Sequence, residues 1–68
     1  ILANINRNIL LEDMPHYVAK LHPRGLLIMS GFYLQDLPLI QERATQLGLT
    51  FTTYREDKNW VAASFYKN

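Results

Sequence analysis

The feature that most constrains the fold is a short apolar run, Leu26 to Met29, with turn-forming residues on both sides. The preceding segment, 22–25, combines a proline, which presets the backbone angle φ, with a glycine, which tolerates positive φ. The following segment, 30–33, begins with Ser-Gly and is predicted to be a loop. An apolar run of this length between turns is typical of a strand buried on both faces, as in a parallel sheet. The sequence therefore predicts an α/β fold.

Helical periodicity precedes this strand. Apolar residues recur at spacings of three and four from Leu10 to Leu21, which places them on one face of a helix. Pro15 lies inside the pattern and cannot donate a backbone hydrogen bond, so we expect a break between a short piece, 6–13, and a better helix, 14–21. Two asparagines near the start are candidate N-caps, Asn6 and Asn8.

A second helix and a β-hairpin follow the strand. Residues 37–47 repeat the helical spacing, with Asp36 as a candidate cap and Gly48 as the C-terminal stop. Residues 49–55 and 60–66 are rich in threonine, valine and aromatic side chains and are separated by four polar residues. This pattern predicts two antiparallel strands joined by a four-residue loop.

The order of these elements indicates the second half of an open α/β sheet. Residues 1–5 read as the remnant of a strand, and a strand, a helix and another strand form a crossover with the strands parallel. The terminal hairpin adds an antiparallel strand at the far side. We expect the first strand to expose an unpaired sheet edge, which favours self-association of the 68-residue chain.

Composition excludes several classes of protein. Seven basic and six acidic side chains are scattered along the chain without a basic stripe, so direct binding of nucleic acid is not expected. Cysteine is missing, which rules out disulfides and thiolate metal sites, and two histidines, His16 and His22, are too few for a metal site. The apolar runs are far shorter than the roughly 18 residues that span a membrane. We expect a cytoplasmic location.

Five local motifs, taken in order, resemble the C-terminal half of class I S-adenosylmethionine-dependent methyltransferases, and in particular the PrmA-like family that methylates ribosomal protein L-eleven. The motifs are a strand end containing Ala3-Asn4-Ile5, the proline-interrupted helix MPHYVAKL, the turn HPRG before a strand that ends in Met29-Ser30-Gly31-Phe32, a helix that ends in LGL, and a hairpin that contains Trp60-Val61. The resemblance covers nearly the whole chain.

The resemblance implies a particular fold and activity. The fold would be the C-terminal half of a Rossmann-like methyltransferase sheet, with two helices, a parallel strand pair and a terminal antiparallel β-hairpin. The activity would be N-methylation of amino groups on a large-subunit ribosomal protein, with S-adenosylmethionine as methyl donor. One turn departs from the family pattern, because Arg24 replaces the first of two glycines that usually follow the proline.

The family's glycine-rich cofactor loop cannot be found in these residues. The glycines, Gly25, Gly31 and Gly48, form no GxGxxG arrangement. Residues 1–68 are therefore expected to be one partial domain, the C-terminal part of a catalytic domain whose N-terminal half is missing. The 68 residues alone are predicted to be inactive and to bind S-adenosylmethionine weakly.

The candidate site lies where the two parallel strands end. Ligands bind outside the carboxyl ends of such strands, and these ends carry Asn4 on the first strand and Ser30 with Gly31 on the second. The resemblance implies that Asn4 is catalytic and contacts the cofactor, and that Ser30 and Gly31 also contact the cofactor. Without the resemblance, the residues alone favour a helix cap for Asn4 and a strand-ending turn for Ser30-Gly31 over a functional role.

Two other functions remain open at this point. The chain could belong to a class I methyltransferase that acts on a small molecule or on nucleic acid. It could also be an interaction module without chemistry. The sequence preceding Ile1 would discriminate between them, since a glycine-rich loop in a longer protein would support the enzyme.

Overall fold

The computed structural model describes residues 1–4 and 7–68, with the side chains of residues 2–4 excepted. Its elements follow one another as strand, helix, strand, 3₁₀ turn, helix and two strands. They are β1 (Leu2–Asn4), α1 (Arg7–Lys20), β2 (Leu26–Tyr33), the 3₁₀ turn (Leu34–Asp36), α2 (Leu37–Gln46), β3 (Leu49–Asp57) and β4 (Trp60–Lys67). The predicted α/β class, the two helices and the terminal hairpin are confirmed.

The four strands form one sheet in the order β1-β2-β4-β3. β1 lies parallel to β2, with Asn4 opposite Ser30, and β4 runs antiparallel to both β2 and β3. The second hairpin strand is therefore inserted beside β2, and β3 takes the outer position. Within the described part of the chain, β1 has a strand on one side only, as predicted.

Both helices pack on one face of the sheet and form an apolar core with it. Every second residue of β4 is buried, as expected for a strand with one covered face. Phe65 lies in the middle of this core and meets Phe51 edge to face, with ring centroids 5.5 Å apart. The buried apolar residues are Leu10, Met14, Val18, Leu21, Leu27, Met29, Phe32, Leu37, Ile40, Ala44, Leu49, Val61, Ala63 and Phe65.

The predicted break at Pro15 is wrong, because α1 is continuous from Arg7 to Lys20. Leu10, Met14 and Val18 are all buried and recur every four residues across the proline. Packing of this stripe on the sheet holds both halves of the helix in line despite the lost backbone hydrogen bond. Neither helix in the described residues is long and apolar enough to cross a membrane.

The candidate caps have different outcomes. Asn8 is the second residue of α1 rather than its cap, and its Oδ1 accepts a hydrogen bond from Arg7 Nε at 3.2 Å. Asn6 lies outside the described residues. Asp36 is at the N-cap position of α2, but its side chain makes no capping bond. The stop at Gly48 is confirmed, since this residue has φ 87° and follows the last turn of the helix.

Segment 30–33, predicted to be a loop, is instead the last part of β2. Hydrogen bonding with β4 continues through it, because Phe32 lies opposite Val61 and Tyr33 opposite Trp60. A bulge at Gly31, which has φ 96°, accommodates the Ser-Gly pair without ending the strand. The pairing partner lies about 30 positions away in sequence, so local turn chemistry could not reveal it.

The hairpin loop is also shorter than the four residues predicted. Lys58 and Asn59 alone connect β3 to β4, with φ values of 51° and 72°. Positive φ at both central residues is the geometry of the two-residue turn that matches the twist of paired strands. Glu56 and Asp57 therefore belong to β3 and lie opposite Val61 and Trp60.

Candidate functional site

The candidate site is built on a row of paired residues that crosses the sheet near the end of β2. Asn4 of β1 lies opposite Ser30, Ser30 lies opposite Ala62 of β4, and Ala62 lies opposite Arg55 of β3. Asn4 and Ser30 are thus neighbours across the parallel strand pair. The prediction that Ser30 and Gly31 end the second strand is wrong, because β2 continues to Tyr33 through its pairing with β4. Directly paired residues share a face of the sheet, so Ser30, Ala62 and Arg55 point away from the helices.

Gly31 changes which side chains reach this open face. Strand alternation would place Phe32 on the open face, since Met29 is in the core. The extra residue at the bulge reverses the alternation, so Phe32 is 1% exposed in the core and Tyr33 is turned outward. The open face next to Ser30 is therefore kept free of the Phe32 ring. The sequence prediction selected Gly31 for its backbone freedom, and its φ of 96° is a conformation that side-chain-bearing residues rarely adopt.

A shallow concavity of about 390 Å³ lies beside Ser30 on the open face. Trp60 and Ala62 supply apolar surface, and Arg55 supplies a positive charge. Glu56, Asp57 and Val61 complete the lining. Since the open face carries polar and apolar groups together, this concavity can receive a ligand or a chain segment that has both characters.

An exposed aromatic pair borders the concavity. Tyr33 and Trp60 are each 48% exposed, and their rings meet edge to face with centroids 5.1 Å apart. Phe65 is buried, whereas Trp60 and Tyr66 lie on the face opposite to the helices. The alternation Trp60, Ala62, Ser64, Tyr66 in the sequence carried this signal, because Val61 and Phe65 define the buried face.

The 3₁₀ turn that follows β2 is connected to two other parts of the chain. Arg7 Nη1 lies 3.1 Å from Asp36 Oδ1, which joins the start of α1 to the turn. From the hairpin, Asn59 accepts a bond from the Leu34 amide at its backbone oxygen (2.9 Å) and donates through Nδ2 to Gln35 Oε1 (3.0 Å). Nothing in the sequence pattern indicated these contacts, because each one joins residues more than 20 positions apart.

The described residues contain no cluster of three or more histidine, cysteine, aspartate or glutamate side chains that could hold a metal ion. Instead, the site offers an amide residue at the end of β1, a hydroxyl at the paired position of β2, a strand bulge at glycine, and an aromatic border. The open sheet, with one parallel strand pair and both helices on one face, defines the α/β class of proteins.

Comparison with known proteins gives the family within this class. The sequence model described as "Ribosomal protein L11 methyltransferase (PrmA)" matches residues 1–68, the whole chain. The chain belongs to this family.

Curated relatives have the same description. Proteins called "Ribosomal protein L11 methyltransferase" from Phocaeicola vulgatus, Bacteroides thetaiotaomicron and Porphyromonas gingivalis are 57%, 54% and 51% identical over 65 residues, 96% of this chain. The matched region is 23% of the length of the first two proteins and 22% of the third. The chain thus spans about a quarter of the length of these relatives.

A solved structure has the same arrangement of elements. The crystal structure of ribosomal protein L11 methylase from Lactobacillus delbrueckii subsp. bulgaricus superposes with a TM-score of 0.89 at 26% identity. The superposition covers 100% of this chain and 36% of the Lactobacillus chain. The fold described above is therefore one that occurs as part of a larger protein.

Proposed function

We propose that these 68 residues form the C-terminal part of the catalytic domain of an S-adenosylmethionine-dependent protein methyltransferase. The longer protein methylates amino groups of a large-subunit ribosomal protein, the substrate that the names of its relatives contain. It works in the cytoplasm, where ribosomal proteins are made. The missing half of the domain supplies the main cofactor-binding loop.

The observation that carries this proposal is the placement of Asn4 opposite Ser30 within a chain that matches the family along its entire length. Family membership alone would leave the site undefined. Open α/β sheets bind ligands outside the carboxyl ends of their parallel strands. Asn4 is the last residue of β1 and is paired with Ser30, which supports this assignment.

The cofactor supplies a methyl group bonded to a positively charged sulfur. The residues present fit one wall of its binding site. Gly31 has positive φ, which glycine adopts readily, and the bulge at this residue turns the Phe32 ring away from the face that carries Ser30. Ser30 lines the concavity next to Trp60, so a hydroxyl and an aromatic surface are available on the same side of the sheet. We assign cofactor contact to Asn4, Ser30 and Gly31, and catalysis to Asn4.

Asn4 acts on the attacking amine. The amine must be neutral to attack, whereas a free lysine has a pKa of about 10.4 and is charged at neutral pH. A pocket of low polarity lowers the pKa of the lysine by disfavouring its charged form. The amide oxygen of Asn4 accepts a hydrogen bond from the neutral amine and orients its lone pair without adding a negative charge that would retain the proton.

Positioning accounts for most of the rate enhancement. Holding two reactants in line converts an encounter between them into a step within one complex, and this effect is large. Tyr33 and Trp60 contribute apolar surface at the border of the site.

The deciding experiment uses the full-length protein that contains these residues. It is incubated with S-adenosylmethionine labelled in the methyl group and with total ribosomal protein from a strain that lacks the enzyme. We expect label on one large-subunit protein, at lysine or α-amino groups identified by mass spectrometry. Label on ribosomal RNA or on a small metabolite would replace the proposed substrate, and no transfer to any acceptor would favour an interaction module.

The isolated chain gives a second, independent check. Since the main cofactor loop is expected to lie elsewhere in the longer protein, residues 1–68 should neither transfer methyl groups nor bind S-adenosylmethionine at micromolar concentration in calorimetry. Micromolar binding by the isolated chain would show that the cofactor site is contained in these residues. Sedimentation of the same sample tests whether the β1 edge causes self-association.

A further inference from the structure

The 3₁₀ turn, Leu34–Asp36, joins two segments that carry the candidate site. It follows β2 directly, so its position is linked to that of Ser30 and Gly31. At one end it receives the Arg7 side chain, and at the other it receives Asn59 from the hairpin. The turn is thus fixed from both sides at the end of the sheet where β2 finishes.

Arg7 transmits this restraint toward Asn4. The two residues are three positions apart, so their Cα atoms are at most about 11 Å from one another. The Arg7–Asp36 ion pair therefore limits how far the end of β1 can move from the segment that follows β2. It is the one ion pair found between side chains in the described residues.

Stability of the helix does not explain the position of Arg7. The first turn of a helix favours acidic residues, because unpaired amide groups give it partial positive charge, and a cation there is disfavoured. The Arg7 side chain is 42% exposed and that of Asp36 17% exposed, so solvent weakens the pair and its contribution to global stability is small. What the pair does provide is a fixed distance between two segments.

Asn59 adds a restraint of a different kind. Its φ of 72° is accessible to asparagine at low cost, so the turn geometry accounts for the residue in part. The side chain does more, since Oδ1 accepts a second bond from the Leu34 amide at 3.3 Å while Nδ2 donates to Gln35. Glycine would satisfy the turn and would make neither side-chain contact.

We propose that Arg7 and Asn59 are positioning residues, which hold the 3₁₀ turn from its two sides and thereby fix the spacing between Asn4 and the Ser30–Gly31 wall of the site. The catalytic importance of this spacing rests on the methyltransferase function proposed above. The restraint itself is a property of the contacts and can be measured separately from activity.

The kinetic experiment compares two variants of the full-length protein with two matched controls. Arg7→Gln removes the ion pair, and Asn59→Gly keeps a residue suited to positive φ while it removes both side-chain contacts. Arg43→Gln removes an arginine whose recorded contact is with Gln46 on the same helix. Lys58→Gly introduces glycine at the neighbouring turn position, where φ is also positive.

We expect each test variant to lower kcat about fivefold, the size of effect that a partly exposed ion pair can have on a conformational equilibrium. KM for S-adenosylmethionine and the unfolding midpoint should stay close to wild type, because positioning affects the transition state and not uniform binding. Arg7→Lys, which retains the charge, should recover most of the loss. Unchanged kcat in both test variants, or equal losses in the controls, would overturn the inference.

Amide hydrogen exchange tests the same restraint without requiring activity. Peptides that cover 30–36 should exchange faster in Arg7→Gln and Asn59→Gly than in the two controls. If the wild type transfers methyl groups to an unexpected acceptor, the proposed substrate is wrong. The exchange rates still test whether Arg7 and Asn59 restrain the 3₁₀ turn. Unchanged exchange in both test variants overturns the inference, whatever the enzyme methylates.

Discussion

The two ends of the sheet contain similar local features, but these features have different roles. The site end carries Ser30, Gly31 and the hairpin turn, whereas the opposite end carries the turn 22–25 and the last residues of β4. Each end contains residues with positive φ and side chains bonded to distant backbone. At the opposite end, those hydrogen bonds join β4 to the end of α1. At the site end, the polar side chains of Ser30 and Arg55 line an open concavity.

Lys67 illustrates the opposite end. Its Nζ donates to the carbonyl oxygens of Val18 and Leu21, both at 2.9 Å, at the C-terminal end of α1, and Val18 O also accepts from the Leu21 amide at 3.1 Å. Its backbone bonds with Arg24 and Gly25, which closes the turn onto β4. At the site end, by contrast, Ser30 and Arg55 have no side-chain hydrogen bond among the described residues. Polar groups without internal partners are the ones available to a ligand or to a further part of the protein.

The largest predicted effect on activity is that of a substitution at Asn4, at the site end of the sheet. In the full-length protein, Asn4→Ala should lower the rate of methyl transfer about 100-fold, because the attacking amine loses its orienting acceptor. Denaturant unfolding should change little. Asn8→Ala, an asparagine on the exposed surface of α1, is the matched control. Equal turnover in Asn4→Ala and wild type would remove Asn4 from the site.

The next prediction compares two glycines, one at each end of the sheet. Gly31 and Gly48 both have positive φ, at 96° and 87°, and alanine at either position should cost about 1 kcal/mol of stability. A Cβ atom at Gly48 would meet no atom within 4 Å, so its cost comes from the backbone alone. We expect Gly31→Ala also to reduce methyl transfer about tenfold through displacement of the site wall. The contrast fails if Gly48→Ala reduces the rate to the same extent.

Lys67→Met tests the opposite end through stability. Loss of two charged hydrogen bonds to helix carbonyls should destabilise the full-length protein by about 2 kcal/mol in chemical denaturation, while kcat per folded molecule stays unchanged. Lys58→Met, at an exposed turn position, should have almost no effect on stability. A fall in kcat for Lys67→Met would show that the two ends are coupled.

The smallest effect has the opposite sign. Arg24 adopts φ 66°, a left-handed conformation that costs a residue with a side chain about 1 kcal/mol and glycine little. Arg24→Gly should therefore raise stability by somewhat less than 1 kcal/mol, whereas Arg24→Ala keeps the strained conformation and should bring no gain. If Arg24→Ala raised the stability as much as Arg24→Gly, the cost would come from the guanidinium group and not from the backbone conformation.

Much of the fold could be predicted from the sequence because its signals are local. The apolar run at Leu26 marks β2, the spacing of three and four marks both helices, and Gly48 ends α2 as expected. The sequence also led to Asn4, Ser30 and Gly31, although Ser30 and Gly31 lie inside β2 and not at its end. Their proposed chemical roles came from the family resemblance.

The tertiary structure decided the features that depend on strand pairing and on packing between residues far apart in the sequence. Burial of Leu10, Met14 and Val18 keeps α1 intact through Pro15, and pairing with β4 extends β2 through the predicted loop. The side chain expected to cap α2, Asp36, instead holds Arg7, because that contact forms only once α1 and α2 lie side by side. The sequence by itself thus determined which elements form and the order in which they follow one another. Only the tertiary structure decided which residues surround that position, because their contacts join parts of the chain that local preferences do not relate.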